Sequence, residues 1–184
     1  MVRILTAVSV LLVLLSVPSI SSADPVTWTL SVTFNDGGAG SGSFVYDADT
    51  NTLISADVMT TKGTLFDGAT YTGADPGFGP FPGEIVLVTD PSLSDFTGTP
   101  ALDMVFAANL TNAGGVVDLF LGTSGTAEDT CFDPGCTVAG TMIRTSTAGE
   151  VTAATTTPEP SSFLLLGMGL ATVVGFAKRR LAQV

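Results

Sequence analysis

The feature that most constrains this fold is a strict alternation of apolar and polar residues over residues 28–34. Trp28, Leu30, Val32 and Phe34 fall on one face, and polar residues separate them. Side chains alternate between the two faces of a β-strand, whereas an amphipathic helix repeats every 3.6 residues. Between Asp24 and Ala154 no segment keeps a helical period. The middle of the chain is therefore predicted to form strands with one buried face.

Segments of similar character recur at intervals of roughly 8–15 residues, separated by glycine, proline, asparagine and aspartate, which is typical of antiparallel β-proteins. Two longer segments rich in chain breakers, 73–83 and 89–100, are predicted to be surface loops. The pattern predicts an all-β fold, an antiparallel β-sandwich or open barrel. The predicted strands are 28–34, 43–47, 53–60, 64–72, 84–89, 101–109, 116–122, 126–131, 137–144 and 149–154.

Charge is distributed very unevenly. From Asp24 to Glu150 there are 16 acidic residues and only two basic ones, Lys62 and Arg144, which gives this segment a net charge of −14. Such a domain repels phosphate backbones, so nucleic acid is not an expected partner. The chain also contains no histidine, which removes the commonest general base and metal ligand.

Both termini have the character of targeting segments. Arg3, an apolar stretch and a small-residue site before Asp24 predict a signal peptide over residues 1–23 and an export route that permits disulfides. Near the C-terminus, the apolar run 163–177 is a minimal single transmembrane helix, and the basic residues after it predict a cytoplasmic tail at 178–184. The predicted organisation is completed by an exported domain at 24–154 and a linker at 155–162.

The C-terminal residues carry a family resemblance. Pro158-Glu159-Pro160, the apolar run, and the stop-transfer cluster Lys178, Arg179 and Arg180 occur in the order found in the PEP-CTERM sorting signal of Gram-negative bacteria. The resemblance implies that an exosortase recognises the Pro-Glu-Pro motif while the helix holds the substrate in the inner membrane. It further implies delivery to the cell surface or an exopolysaccharide matrix. It implies no shared activity among the exported domains.

Cys131 and Cys136 enclose a Phe-Asp-Pro-Gly sequence that favours a turn. A disulfide across this turn is predicted, and it stabilises by about 2 kcal/mol in the loop-entropy model. The alternative is a redox or metal dithiol. Catalytic pairs usually have two intervening residues, and a zinc site needs further strong ligands that a chain without histidine does not obviously supply.

Two weaker site hypotheses remain open. Asp47, Asp49 and Asn51 match the first half of an EF-hand loop, but Thr52 stands where glycine belongs; a weak calcium site and a plain hairpin turn are the alternatives. Phe78 and Phe81 lie in the first predicted loop, where they either bind a sugar or partner or close the end of the sheet.

No catalytic arrangement is recognisable. A Ser-His-Asp or Cys-His site needs histidine, no phosphate-binding glycine loop is present, and scattered acids permit some carboxylate pair in any such chain. The chain is therefore predicted to be a non-enzymatic surface or matrix protein without cofactors. The alternatives are a carbohydrate- or calcium-binding adhesion module and a secreted enzyme.

Overall fold

The computed structural model describes residues 24–137 and 139–155. The predicted signal peptide, the Pro-Glu-Pro motif, the transmembrane helix and the basic tail lie outside the described residues. None of the described residues belongs to a helix with the length and apolar character needed to cross a bilayer.

The described residues form ten strands and an all-β fold, which confirms the predicted class. The strands are β1 (Val26–Phe34), β2 (Ala39–Asp47), β3 (Thr52–Thr60), β4 (Thr70–Tyr71), β5 (Gly73–Ala74), β6 (Glu84–Val88), β7 (Pro100–Val105), β8 (Gly115–Asp118), β9 (Ala127–Cys131) and β10 (Ala139–Ala153).

The strands join into one antiparallel, barrel-like sheet in the order β4-β3-β2-β1-β10-β9-β7-β6-β5, and β8 pairs with β10. The two edge strands, β4 and β5, are separated by a single residue, Thr72. The Thr72 amide donates to the carbonyl of Val88 on β6 (3.0 Å). One short segment therefore pairs with β3 at its start and with β6 at its end, and the sheet nearly closes on itself.

β1 is the clearest case of sequence dictating structure. Its side chains alternate strictly between buried and exposed from end to end, as the sequence predicts. Trp28 is 1% exposed. The inward faces of the strands fill the interior with one continuous cluster: Val26, Trp28, Leu30, Val32, Phe34, Phe44, Tyr46, Val58, Tyr71, Ile85, Leu87, Leu102, Met104, Phe106, Leu110, Leu119 and Val151. Side chains from both sides of the curled sheet thus share one core.

Strand β2 depends on glycine at a point of close contact with β3. Gly42 has a φ of 142°, and a Cβ there would lie 2.2 Å from the carbonyl oxygen of Asp57 on β3. Only glycine avoids both the strained backbone and the clash. This residue therefore lets β2 and β3 keep their register along the sheet.

Three of the local predictions, two about strands and one about a loop, are wrong. Residues 64–69 form a loop, and only Thr70–Tyr71 of the predicted strand 64–72 pairs. The predicted loop 73–83 begins with strand β5. The two predicted strands 137–144 and 149–154 are one strand, β10, whose first half pairs with β9 and whose second half pairs with β1 and β8.

Candidate functional site

The most unusual group in the interior is a buried ion network centred on Arg144 of β10. The Arg144 guanidinium pairs through Nε with Glu128 of β9 and through Nη1 with both carboxylate oxygens of Asp36, each at 3.2 Å. All three side chains are fully buried. A buried ion pair repays the cost of its desolvation only with good geometry and further hydrogen bonds to its members. Nη1 of Arg144 also donates to the carbonyl of Thr61 (3.1 Å), whereas Nη2 has no partner among the described residues.

Both carboxylates have that support. Glu128 Oε1 accepts hydrogen bonds from the hydroxyls of Tyr71 (2.5 Å) and Thr60 (2.6 Å). Asp36 accepts the backbone amides of Gly38 (2.9 Å) and Leu65 (3.3 Å). The network therefore connects the β1–β2 turn, β3, β4, β9 and β10 inside the sheet.

The ionisation of two network members follows from these contacts. Burial opposes the charge on Asp36, but the Gly38 and Leu65 amides and the charge of Arg144 outweigh it and lower the pKa of Asp36. Burial, together with the charge of Glu128, raises the pKa of Tyr71 far above its ordinary value. At neutral pH Asp36 is therefore an anion and Tyr71 a neutral donor.

Aromatic rings and glycines complete the surroundings of Arg144. Its guanidinium carbon lies 4.3 Å from the ring centre of Phe34 and 5.2 Å from that of Phe66, within the range of a cation–π interaction. A Cβ at Gly38 would lie 2.0 Å from Arg144 Nη1, and one at Gly63 would lie 2.1 Å from Asp36 Oδ2. Both glycines leave room for the network.

A second group lies on the outer face of the sheet, beneath the Cys131–Cys136 hairpin. The disulfide forms as predicted, with its Cα atoms 4.7 Å apart. It packs with Val88, Phe96 and Ala101 in a small separate core. The Phe96 amide donates to the carbonyl of Pro134 (3.1 Å), so the loop before β7 holds the hairpin against the sheet.

A pocket of about 110 Å³ opens between this hairpin and strands β6, β7 and β9. Three of its lining residues are acidic: Glu84 of β6, Asp103 of β7 and Asp129 of β9. Burial raises the pKa of Asp103 to about 7, with the charges of Glu84 and Asp129 adding to the effect. Burial alone raises the pKa of Asp129 to about 6. Both carboxyl groups therefore titrate near neutral pH.

The predicted calcium residues lie at the β2–β3 turn. Asp47 Oδ1 accepts the amide of Asp49 (3.0 Å) and Nδ2 of Asn112 (2.7 Å), and Oδ2 accepts the Thr50 hydroxyl (2.7 Å). The Thr50 and Asn112 bonds lower the pKa of Asp47. Asn51 Oδ1 accepts the Tyr46 hydroxyl (3.1 Å). Within residues 24–137 and 139–155 no group of three acidic or cysteine residues is placed to hold a metal ion, and the calcium hypothesis stays a prediction.

Phe78 and Phe81, the two aromatic residues of the predicted loop 73–83, contact each other. The rings of Phe78 and Phe81 meet edge to face with centres 5.8 Å apart. Phe81 is 50% exposed, whereas Phe78 lines the acidic pocket. The two rings thus face different surroundings although they touch.

Sequence reasoning missed both the Arg144 network and the acidic pocket. The one available signal for the network is that Arg144 is an isolated basic residue within a run of small and β-branched residues. For the pocket, Asp103 and Glu84 interrupt otherwise apolar strands. Neither signal identifies the partners, because these come from strands far apart in the chain.

The fold and its disulfide define an acidic all-β domain followed by a C-terminal extension. In that extension, residues 156–180 match the PEP-CTERM protein-sorting motif. The match confirms the resemblance read from Pro158-Glu159-Pro160, and it supports an exported protein that is sorted by an exosortase. No curated protein and no solved structure matches the chain.

Proposed function

We propose that this chain is a non-enzymatic protein of the cell surface or extracellular matrix of a Gram-negative bacterium. It is delivered by an exosortase after a transient stay in the inner membrane. The observation that carries this proposal is the match of residues 156–180 to the sorting motif. The disulfide adds support, because such bonds persist in oxidising compartments outside the cytosol.

The architecture of the exported domain supports a structural role. Its interior is filled by one continuous core. Both oxygens of the buried Glu128 carboxylate are engaged by Arg144, Tyr71 and Thr60. This carboxylate is fully buried among its partners, which fits a structural role.

The sorting step is tested by replacing Glu159 with alanine in the native host. We expect the variant to remain uncleaved in the membrane fraction while the wild-type chain is processed and released. Cell fractionation followed by immunoblotting measures both species. Glu150→Ala is the matched control, since Glu150 is an exposed acid on β10 and lies outside the matched motif. Equal release of the Glu159 variant and wild type would remove the recognition role.

A carbohydrate-binding adhesion module is the second candidate, and the exposed ring of Phe81 favours it. The ring of Phe81 contacts that of Phe78, and contiguous apolar surface, unlike a single scattered side chain, can mark a recognition site. Phe81→Ala should then lower retention on the host's own exopolysaccharide at least severalfold in a sedimentation assay. Leu65→Ala, at a site that is 62% exposed, should leave it unchanged. Retention that is equally high in both variants, or absent from wild type, would eliminate this candidate.

A further inference from the structure

The acidic pocket, defined by Glu84, Asp103 and Asp129 with Phe78, Val86 and Ala101, concentrates negative charge without an internal counter-charge. Asp129 is 8% exposed, and among the described residues no hydrogen bond reaches its carboxylate. Oδ1 of Asp103 is buried and has no hydrogen-bond partner within the described part of the chain. Isolated buried carboxylates are costly, so proteins pair them with cations or protonate them.

No basic side chain of residues 24–155 is free to neutralise the pocket. The only two are Lys62 and Arg144. Lys62 pairs with Asp67, and Arg144 is committed to the network inside the sheet. The residues that line the pocket include three acids, Glu84, Asp103 and Asp129, and no basic side chain. Every ionisable group around the pocket is therefore an acid.

Strand register explains how the carboxylates are spaced. Asp103 lies opposite Val86 on β6 and opposite Ala127 on β9. Glu84 and Asp129 therefore occupy diagonal positions on either side of it. The Cα atoms of diagonal neighbours on adjacent strands are about 7–8 Å apart, so the three acidic side chains start from separate points around the pocket.

This spacing favours an ammonium group over a metal ion. A calcium ion needs six to eight oxygen ligands at about 2.3–2.6 Å. An ammonium group instead carries three N–H donors, which separated carboxylates can accept one by one. The apolar part of the pocket lining can contact a hydrocarbon stem; it is formed by Phe78, Val86 and Ala101. At about 30 Å³ for each water-sized group, the pocket holds about four such groups.

We propose that the acidic pocket binds a primary ammonium group carried on a short aliphatic stem. The ligand enters beneath the disulfide hairpin, the ammonium donates to Asp103 and Asp129, and the stem contacts Val86 and Ala101. Binding requires both carboxyl groups to be ionised, so it releases protons near neutral pH. The source of the amine, a lysine side chain or a small free amine, presents the same chemistry to the pocket.

The test is an NMR titration of the full chain in non-ionic detergent with n-propylammonium, which has about as many non-hydrogen atoms as the pocket has room for. We expect saturable shifts of the backbone amides of β6, β7 and β9. The affinity should rise at least tenfold from about pH 5.5 to about pH 8, since the carboxyl pKa values lie between these limits. 1-Propanol, its neutral counterpart, should produce no saturable shift, and neither should tetramethylammonium, which has no N–H donor.

Two variants test whether the side chains of Asp129 and Asp103 hold the ammonium group. Asp129→Asn and Asp103→Asn keep the shape of the side chain and should each abolish saturation at the higher pH. Glu150→Gln, on the exposed face of β10, should leave it unchanged. Each variant is compared with wild type by its amide spectrum to verify that it is folded.

Three results would overturn the proposal. The first is the absence of saturable shifts with n-propylammonium. The second is equal affinity for 1-propanol, which would mark a plain apolar cavity. The third is saturation by Ca²⁺ without saturation by n-propylammonium, which would mark a metal site. To distinguish the two sources after a positive result, N-acetyl-lysine amide is compared with n-propylammonium in the same titration.

Discussion

Replacing Arg144 with methionine would remove the cation from the buried network and keep most of the aliphatic volume. The buried carboxyl groups of Asp36 and Glu128 would then have no cation beside them. Removing one partner of a buried pair typically costs about 3–5 kcal/mol, because a charge is left uncompensated. Here two carboxyl groups are affected, but each keeps two hydrogen bonds that do not involve Arg144. We therefore expect a loss of about 3–5 kcal/mol in the free energy of unfolding, a large fraction of the ~5–15 kcal/mol of a typical domain.

The measurement is urea unfolding followed by fluorescence, with linear extrapolation to water. Trp28 is the only tryptophan and is 1% exposed, so it reports loss of the core directly. A triple variant, Asp36→Asn, Glu128→Gln and Arg144→Met, removes the whole set of charges. This variant should recover at least half of the lost free energy of unfolding. Uncharged side chains can occupy the same interior space without leaving an unpaired ion.

The pH dependence of the free energy of unfolding provides a second test of the same reasoning. The pKa of Asp36 is lowered in the folded protein, so its stabilising contribution is present above about pH 4 and is lost as the pH falls through the folded value. The difference between wild type and Arg144→Met should therefore shrink in acid, where Asp36 becomes protonated. The explanation is refuted by a loss below about 1 kcal/mol, by a loss that does not change with pH, or by a triple variant as unstable as the single one.

Two further predictions concern the outer face. Replacing both Cys131 and Cys136 with serine should lower the free energy of unfolding by about 2 kcal/mol, because the disulfide closes only a short loop. The same urea assay measures this loss. No loss would mean that the surrounding loops alone fix the hairpin. Asp103 has a raised pKa of about 7 in the folded protein, so its contribution is complete below about pH 4 and is lost as the pH rises towards 7. Asp103→Asn should therefore be more stable than wild type at about pH 8 and equal to it at about pH 4, as measured by thermal melting; a difference of the same size at both pH values would contradict this assignment.

The parts of the fold that could be predicted from sequence are those in which local pattern and tertiary environment agree. The alternation over residues 28–34 leaves only one face that can be buried, and the structure buries it. The Asp-Pro-Gly turn between Cys131 and Cys136 brings the sulfur atoms together within a few residues. In both cases the information lies within a short segment.

The failures have tertiary causes. Residues 64–69 have strand-like composition, but the Leu65 amide donates to Asp36 and Phe66 lies near Arg144. The network therefore holds this segment as a loop. In β10 the small residues 145–148 separate the two predicted strands, yet strands on both sides supply hydrogen-bond partners, and the strand continues through them.

The candidate sites show the same limit. The sorting motif is contiguous and was read directly from Pro158-Glu159-Pro160. The acidic pocket needs residues of β6, β7 and β9 in a particular register, and no single-sequence pattern encodes that register. Charge composition revealed an acidic domain but not where the acids meet.

The length of β10 has a consequence for orientation. The strand begins beside the disulfide hairpin and ends at Ala153, shortly before the sorting motif at residues 156–180. Its 15 residues span about 45–50 Å of contour at ~3.3 Å per residue. Under the proposed transient stay in the inner membrane, a tether through the C-terminal segment would pull on the Ala153 end of β10. The disulfide hairpin lies beside the opposite end of the same strand, so β10 would act as a spacer between the tether and the hairpin.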